Sequence, residues 1–565
     1  MSKSLFLKSL TILGGVLIVG CSSPTLEKNQ HQNTQKKAVE ALLSEWDSTD
    51  APGVAIAVSL DGKLEYSLGL GVANLEYGIP ITPQTPFAAA SLSKQFTAFS
   101  ILLLAEDGLL SLDDDVRTYL PELKNLGHTI TLRQMLNHTS GLRETGTLLR
   151  MAGWQEADAV TQEQANRVAY RQTDLNFKPG SEYQYNNLAY LLLAQVVDQV
   201  SGQSFSEFTQ TRIFDPIGMK GTHFHDDNAK IVTGRAYSYY TASNGFTKGN
   251  LNYSIVGSTG LFTTAEDLIK WTQNFETPVA GTKDTIIAMK ERGVLNSGAK
   301  IIYAMGQETN PYKGLATWSH GGRDAGYRSF LLRIPEQKFS VSILSNTSRF
   351  DTAKIAYGIA DIYLKDKPEF IEKPVSKIQY PTEEQLERYV GNYELFGSLI
   401  FTVTRDSETL YLSTIGSSQN GKLEPVSPTE FIVNPALGRS LIFAADEDGE
   451  VRSLKYKLGM HGKLDAQRIE LAPFDKASAN LSDYVGRYYS KELDTEYVFA
   501  IVEGELVAQN VWFSDIPMTP YQKDTFITIQ TQFKMAFIRD ETSNIIGCHI
   551  SGTYADRILF EKVSH

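Results

Sequence analysis

Phe87-Ala-Ala-Ala-Ser-Leu-Ser-Lys94 runs without a break into the apolar stretch that ends near Leu104. Ser91 and Lys94 are three residues apart, so a helix starting here sets hydroxyl and amine one turn apart on one face. From Ser91 to Ala105 the only charged residue is Lys94. Burial lowers the pKa of an amine, and a lysine that has lost its proton can take one from a serine hydroxyl. The plainer alternative is a helix N-terminus with serine caps and a lysine that reaches back to solvent. The two residues alone do not choose between these.

Outward from this helix, strand-like runs lie at both ends of one long segment. Val54 to Val58 and Leu64 to Leu68 are joined across Asp61-Gly62 as a β-hairpin. Tyr327 to Ile334 and Phe339 to Leu344 form a second pair, followed by a helical Thr352 to Leu364. Helical and loop segments fill the middle. This order predicts one antiparallel sheet built from both ends, with a helical subdomain inserted. Beyond a proline-containing linker at Glu372 to Pro381, Glu387-Arg-Tyr-Val-Gly-Asn-Tyr393 is echoed by Ser482-Asp-Tyr-Val-Gly-Arg-Tyr488. Each copy continues through short alternating strands, which predicts two small antiparallel β-barrels over 381–473 and 479–565.

The chain has 565 residues, a formal net charge of −12 and two cysteines. The acidic balance offers no basic patch for nucleic acid. Cys548, in a strand-like run, reads as a small buried hydrophobe. His223-Phe-His225-Asp-Asp227 lacks a spaced third ligand, so neither a metal nor a cofactor is expected. Asp540-Glu541 reads as a hairpin turn.

Three further segments join the first. Tyr185-Asn186-Asn187 leads into a helix, Leu136-Asn-His-Thr-Ser-Gly-Leu142 forms a loop, and Trp318-Ser-His-Gly-Gly322 opens a strand. With Pro52-Gly53, Thr85-Pro-Phe87 and Gly257-Ser-Thr-Gly260, this set resembles the serine β-lactamase and penicillin-binding-protein superfamily. Its class C-like branch, which includes D-aminopeptidases with two C-terminal barrels, is the nearest. The resemblance covers about residues 40 to 365, within a hydrolase domain of 37–367. It implies an α+β fold with lipocalin-like barrels appended.

The resemblance also implies roles. Ser91 matches the nucleophile, Lys94 its activating lysine, and Tyr185 a phenolate base or a proton relay. Asn187 matches a residue that holds Lys94 and the substrate amide. His320 and Gly322 match the third motif, and the backbone N–H groups of Ser91 and Arg323 match the oxyanion donors. The K-T-G version of that motif binds a substrate carboxylate; His320-Gly-Gly322 lacks its hydroxyl, which disfavours β-lactamase and carboxypeptidase chemistry. The expected activity is hydrolysis of small peptides or amides through an acyl-enzyme. A β-lactamase-like esterase and a slowly turning-over penicillin-binding sensor are the alternatives. In such peptidases a barrel loop would close the acyl side, and a free substrate amine would want a carboxylate, for which Asp540 or Glu541 is the candidate. His138 reads as a turn residue bonding backbone.

Lys3 and Lys8 flank the start of an apolar run, Leu10 to Val19, too short to span a bilayer. It ends Leu17-Ile-Val-Gly-Cys21, which resembles a bacterial lipobox. That implies a signal peptide at 1–20, a lipid on Cys21 and a polar tether over 21–36. The expected address is the bacterial envelope, on an outer membrane facing the periplasm. The oligomeric state is not legible.

Overall fold

The computed structural model describes residues 24–563, apart from 156, 371–379, 416, 418, 435–438, 447, 459–462 and 476–478. Cys21 lies outside the described residues. The chain divides into two units, Met1–Glu45 and Trp46–His565. In the first, helix α1 (Pro24–Leu42) occupies the stretch expected as a tether up to residue 36. Pro24 is well suited to a first turn, and no later residue of the stretch is Gly or Pro, so nothing interrupts the helix.

The second unit is built on a seven-stranded antiparallel sheet. Its strands are β1 (Val54–Leu60), β2 (Lys63–Leu70), β3 (Tyr303–Ala304), β4 (Gln307–Glu308), β5 (Trp318–Asp324), β6 (Tyr327–Ile334) and β7 (Phe339–Ser345), in spatial order 3-4-5-6-7-1-2. β1 pairs with β7 from Val54↔Ser345 to Leu60↔Phe339, so the two ends of the domain do meet in one sheet. Asp61 and Gly62 take φ of 53° and 73°, the double positive turn that the Asp-Gly pair predicts.

The inserted helices carry the site. Helix α2 (Ser93–Glu106) has no polar face: every residue from Ser93 to Leu104 is buried. It packs against α4 (Asn187–Ser201) and α5 (Ala265–Asn274), with Trp271 of α5 seated on Phe96 and Phe99 at 4.6 and 5.1 Å between ring centroids. Each such ring stabilises the core by about 1.5–3 kcal/mol. The short α3 (Thr145–Met151) precedes α4, and α6 (Thr352–Leu364) packs on β6 and β7.

Each C-terminal domain is a nearly closed antiparallel barrel of nine strands with the same strand order. The sequence echo has a physical basis. Tyr393 Oη donates to Tyr389 O at 2.9 Å, and Tyr488 Oη donates to Tyr484 O at 3.0 Å, one bond per repeat. The intervening Gly391 and Gly486 have φ of 154° and 146°, a backbone that favours glycine. In the second barrel, β8 (Lys534–Arg539), β9 (Ile545–Gly552) and β10 (Ala555–Lys562) form consecutive hairpins. Cys548 of β9 is wholly buried, and burial pushes its thiol well up.

Candidate active site

Ser91 sits in a single 3₁₀ turn, Ala90–Leu92, at the entrance to α2. Ala90 before it has φ of 50°, a left-handed backbone that a non-glycine residue adopts at a cost. Lys94, one turn on, is 0% exposed. Its Nζ donates to Ser91 Oγ at 3.2 Å, to Asn187 Oδ1 at 2.8 Å and to the Ser258 carbonyl at 2.8 Å. The lysine does not reach back to solvent.

Burial lowers Lys94 to about 7, while the charges of Glu144 and Asp324 hold it from falling further. Near neutral pH a substantial share of Lys94 is therefore a free amine, able to accept the Ser91 proton. The Tyr185 hydroxyl bonds Ser91, but burial pushes its pKa far up. A phenolate at Tyr185 is thus disfavoured, and its hydroxyl is suited to pass a proton on. Lys94 Nζ also lies 4.8 Å from the centre of the Tyr185 ring.

The Tyr-x-Asn motif is held from behind. Asn186 is the N-cap of α4, its side chain accepting from Ala189 N at 2.8 Å and donating to Leu142 O at 2.6 Å. That leaves the Asn187 side chain for Lys94. His138, fully buried with φ of 58°, accepts from Asn186 N through Nδ1 at 3.1 Å and offers its carbonyl to Gln184 N. It bonds backbone, as its place in the loop implies.

On the opposite wall, His320 Nδ1 lies 2.6 Å from the Gly321 carbonyl, to which it donates, so Nε2 accepts from Tyr303 Oη at 3.0 Å. Gly322 is where β5 meets the nucleophile turn. A Cβ here would lie 2.2 Å from Ser329 Oγ and 2.4 Å from Ala89 O. Only glycine lets the strand approach so closely, and the next amide along β5 is that of Arg323.

Sequence reasoning missed several neighbours. Glu144, the N-cap of α3, accepts from Thr147 N at 2.7 Å through Oε2 and from Asn187 Nδ2 at 3.0 Å through Oε1. Its place two residues after Leu142 was the only signal. Tyr303, from the short hairpin at the sheet edge, gave no sign in the sequence of its bond to His320.

The carboxylate expected at Asp540-Glu541 is elsewhere. That turn joins β8 to β9, whereas the turn that meets the hydrolase domain joins β9 to β10. Eight residues of β9 separate them, about 26 Å at 3.3 Å per residue. Asp540 is spent on its own turn, accepting from Thr542 and Asn544. Instead, Tyr554 O accepts from Glu144 N at 2.9 Å and from Asn176 Nδ2 at 2.7 Å, and Thr553 O accepts from Thr147 Oγ1. Phe396 of the first barrel packs on the Tyr554 ring at 4.2 Å. Among the described residues no three His, Cys, Asp or Glu side chains are grouped to hold a metal. His223 and His225 instead contact Phe262.

The beta-lactamase family profile matches residues 36–364. The chain belongs to the beta-lactamase family. Penicillin-binding protein 4* of Bacillus subtilis (strain 168) is 29% identical over 429 residues, spanning 70% of this chain and 91% of that protein. A D-aminopeptidase of Brucella anthropi is 24% identical over 533 residues, spanning 91% and 95%. Among solved structures, D-amino acid amidase from Ochrobactrum anthropi SV3, complexed with L-phenylalanine, aligns at a TM-score of 0.50 and 21% identity, over 58% of this chain and 98% of that one. The chain is a serine hydrolase of the beta-lactamase family, with two barrels following the hydrolase domain.

Proposed function

We propose that this hydrolase is a D-aminopeptidase-like amidase that cleaves small amides or peptides bearing a free α-amine. Ser91 Oγ attacks the carbonyl carbon as its proton passes to Lys94 Nζ. The backbone N–H groups of Ser91 and Arg323 take the oxyanion, each donor of this kind lowering a barrier by about 3 kcal/mol. The C–N bond then breaks, and Tyr185 hands the proton from Lys94 to the departing nitrogen. Water attacks the Ser91 ester by the reverse relay, releasing the acid and restoring the serine.

The observation that carries the substrate choice is Glu144. It is a buried carboxylate, 8% exposed, one side chain removed from Lys94 through Asn187. A substrate ammonium beside Asn187 would meet an anion there. The Thr553-Tyr554 hairpin fastened beside it supports short acyl groups, since a longer one would run into the second barrel. Similarity to a D-aminopeptidase along most of both chains points the same way.

The protein is further proposed to be anchored through a lipid on Cys21, facing the periplasm. That rests on the lysine-flanked apolar run and Leu17-Ile-Val-Gly-Cys21. The test of function is a panel of D-alanyl anilide, L-alanyl anilide, a short nitrophenyl ester and a chromogenic cephalosporin, run beside Ser91→Ala. D-alanyl anilide turnover lost in Ser91→Ala is the expected result. Turnover of the ester alone, or one-to-one labelling without release, would replace the amidase reading with an esterase or a sensor.

A further inference from the structure

The loop Gly257-Ser-Thr-Gly260 holds Lys94 through the Ser258 carbonyl, and it holds the start of α2 at further points. Gly257 O accepts from Thr97 Oγ1 at 2.7 Å. Just beyond the loop, Leu261 O accepts from Ala89 N at 2.8 Å and Leu261 N donates to Ser93 Oγ at 3.2 Å. Thr259 bonds elsewhere. Its Oγ1 donates to Asp324 Oδ2 at 2.8 Å, and Tyr253 Oη donates to the same oxygen.

Asp324 is the last residue of β5, next to Arg323, whose N–H is assigned to the oxyanion. Alternate residues of a strand share a face, so Asp324 lies on the face of His320 and Gly322. At Gly322 that face meets Ala89 O, beside the nucleophile turn. This end of β5 is held by strands on one edge only. β6 pairs with it as far as Tyr327, whereas β4 on the other edge reaches only Ser319. The hydroxyls of Thr259 and Tyr253 therefore tie the strand end to the loop, and bonds to a charged acceptor are of the stronger kind. One carboxylate joins the segment that orients the base to the segment that carries an oxyanion donor.

We propose that Asp324 is a positioning residue for acylation, setting the Arg323 N–H and the Lys94 amine relative to each other by bonding the Thr259 loop to the end of β5. The proposal rests on the roles given above to Ser91, Lys94 and the Arg323 amide, and not on the choice of an amide substrate.

The test follows the rate at which an alkyl fluorophosphonate labels Ser91, the serine oxygen displacing fluoride as Lys94 takes the proton. At about pH 9, above the Lys94 value of about 7, Asp324→Ala and Thr259→Val are each expected to lower the limiting rate about tenfold. The half-saturating concentration should change by less than about twofold. Adding Thr259→Val to Asp324→Ala is expected to cost no more than about twofold, since both remove one bond. Asp324→Asn keeps an acceptor for Thr259, so its rate at about pH 9 stays within about twofold of wild type. Its rising limb moves to lower pH, because a charge that raises Lys94 is gone.

A wild-type rate in Thr259→Val, losses that multiply in the double variant, or an Asn variant as slow as Ala each overturn the proposal. If Asp324→Ala does not fold, Thr259→Val and Asp324→Asn still decide it. A wild type that does not label contradicts Ser91 as the nucleophile, and the proposal falls with that reading.

Discussion

Arg143 and Glu492 form an ion pair of 2.7 Å with side chains 1% and 8% exposed, joining the hydrolase domain to the second barrel. Arg143 is one residue before Glu144, so the pair fastens the barrel beside the carboxylate that faces Asn187 and Lys94. Arg143 also donates to Arg557 O, and Glu492 accepts from Thr173 N. The barrel therefore touches the chemistry through two neighbouring residues of one loop.

Removing Glu492 leaves the buried Arg143 guanidinium with only the exposed Asp174 carboxylate, at 3.9 Å, for an ionic partner. Glu492→Gln is expected to destabilise the protein by about 3 kcal/mol, whereas Arg143→Met with Glu492→Leu recovers most of that loss. Thermal unfolding of the three proteins checks it, and a single change without effect contradicts the burial of the pair.

The pH dependence follows from Lys94. Its folded pKa is lowered to about 7, so the amine is protonated and unreactive below that value and free above it. Acylation, read as kcat/KM, should rise through about pH 7 and level off above. Glu144→Gln removes a charge that raises Lys94, so the rising limb should move to lower pH. A limb that stays in place or moves up would show that Glu144 does not act on Lys94.

Gly322→Ala inserts a Cβ where Ser329 Oγ and Ala89 O already stand at 2.2 and 2.4 Å. The strand must move back from Ser91. A loss of about 10²-fold in kcat is expected, the scale of one lost oxyanion donor, with KM changed much less. A normal kcat would mean that β5 supplies no such donor.

The Thr553-Tyr554 hairpin limits the acyl pocket if the substrate reading holds. Tyr554→Gly removes the ring that packs on Phe396 while leaving the carbonyl that holds Glu144 and Asn176. Longer D-acyl anilides should gain about tenfold in kcat/KM relative to D-alanyl anilide. An unchanged ratio places the limit elsewhere.

What was legible in the sequence was what local rules and spacing encode. The Ser91–Lys94 face, the Asp61-Gly62 hairpin and the sheet made from both ends need only periodicity and turn chemistry. The barrel repeat was legible because Tyr389/Tyr393 and Tyr484/Tyr488 solve one packing problem twice. Residues brought in by tertiary contact were not. Tyr303 reaches His320 from a two-residue edge strand, and Ser258 contributes only a carbonyl. Asp540-Glu541 carries the charge a substrate amine would want, but a strand has two ends, and which end faces a neighbour is decided by docking. The helix at Pro24–Leu42 shows the converse: a polar segment without Gly or Pro interruptions can still be helical.

The central claim is that Ser91 carries the acyl group and Lys94 makes it nucleophilic. Intact-mass measurement of wild type, Ser91→Ala and Lys94→Met, quenched in acid during turnover of D-alanyl anilide, tests it most directly. The account predicts an adduct of one D-alanyl group on wild type, mapped to Ser91, and none on either variant. An adduct that persists in Ser91→Ala, or anilide turnover that survives there, would contradict it.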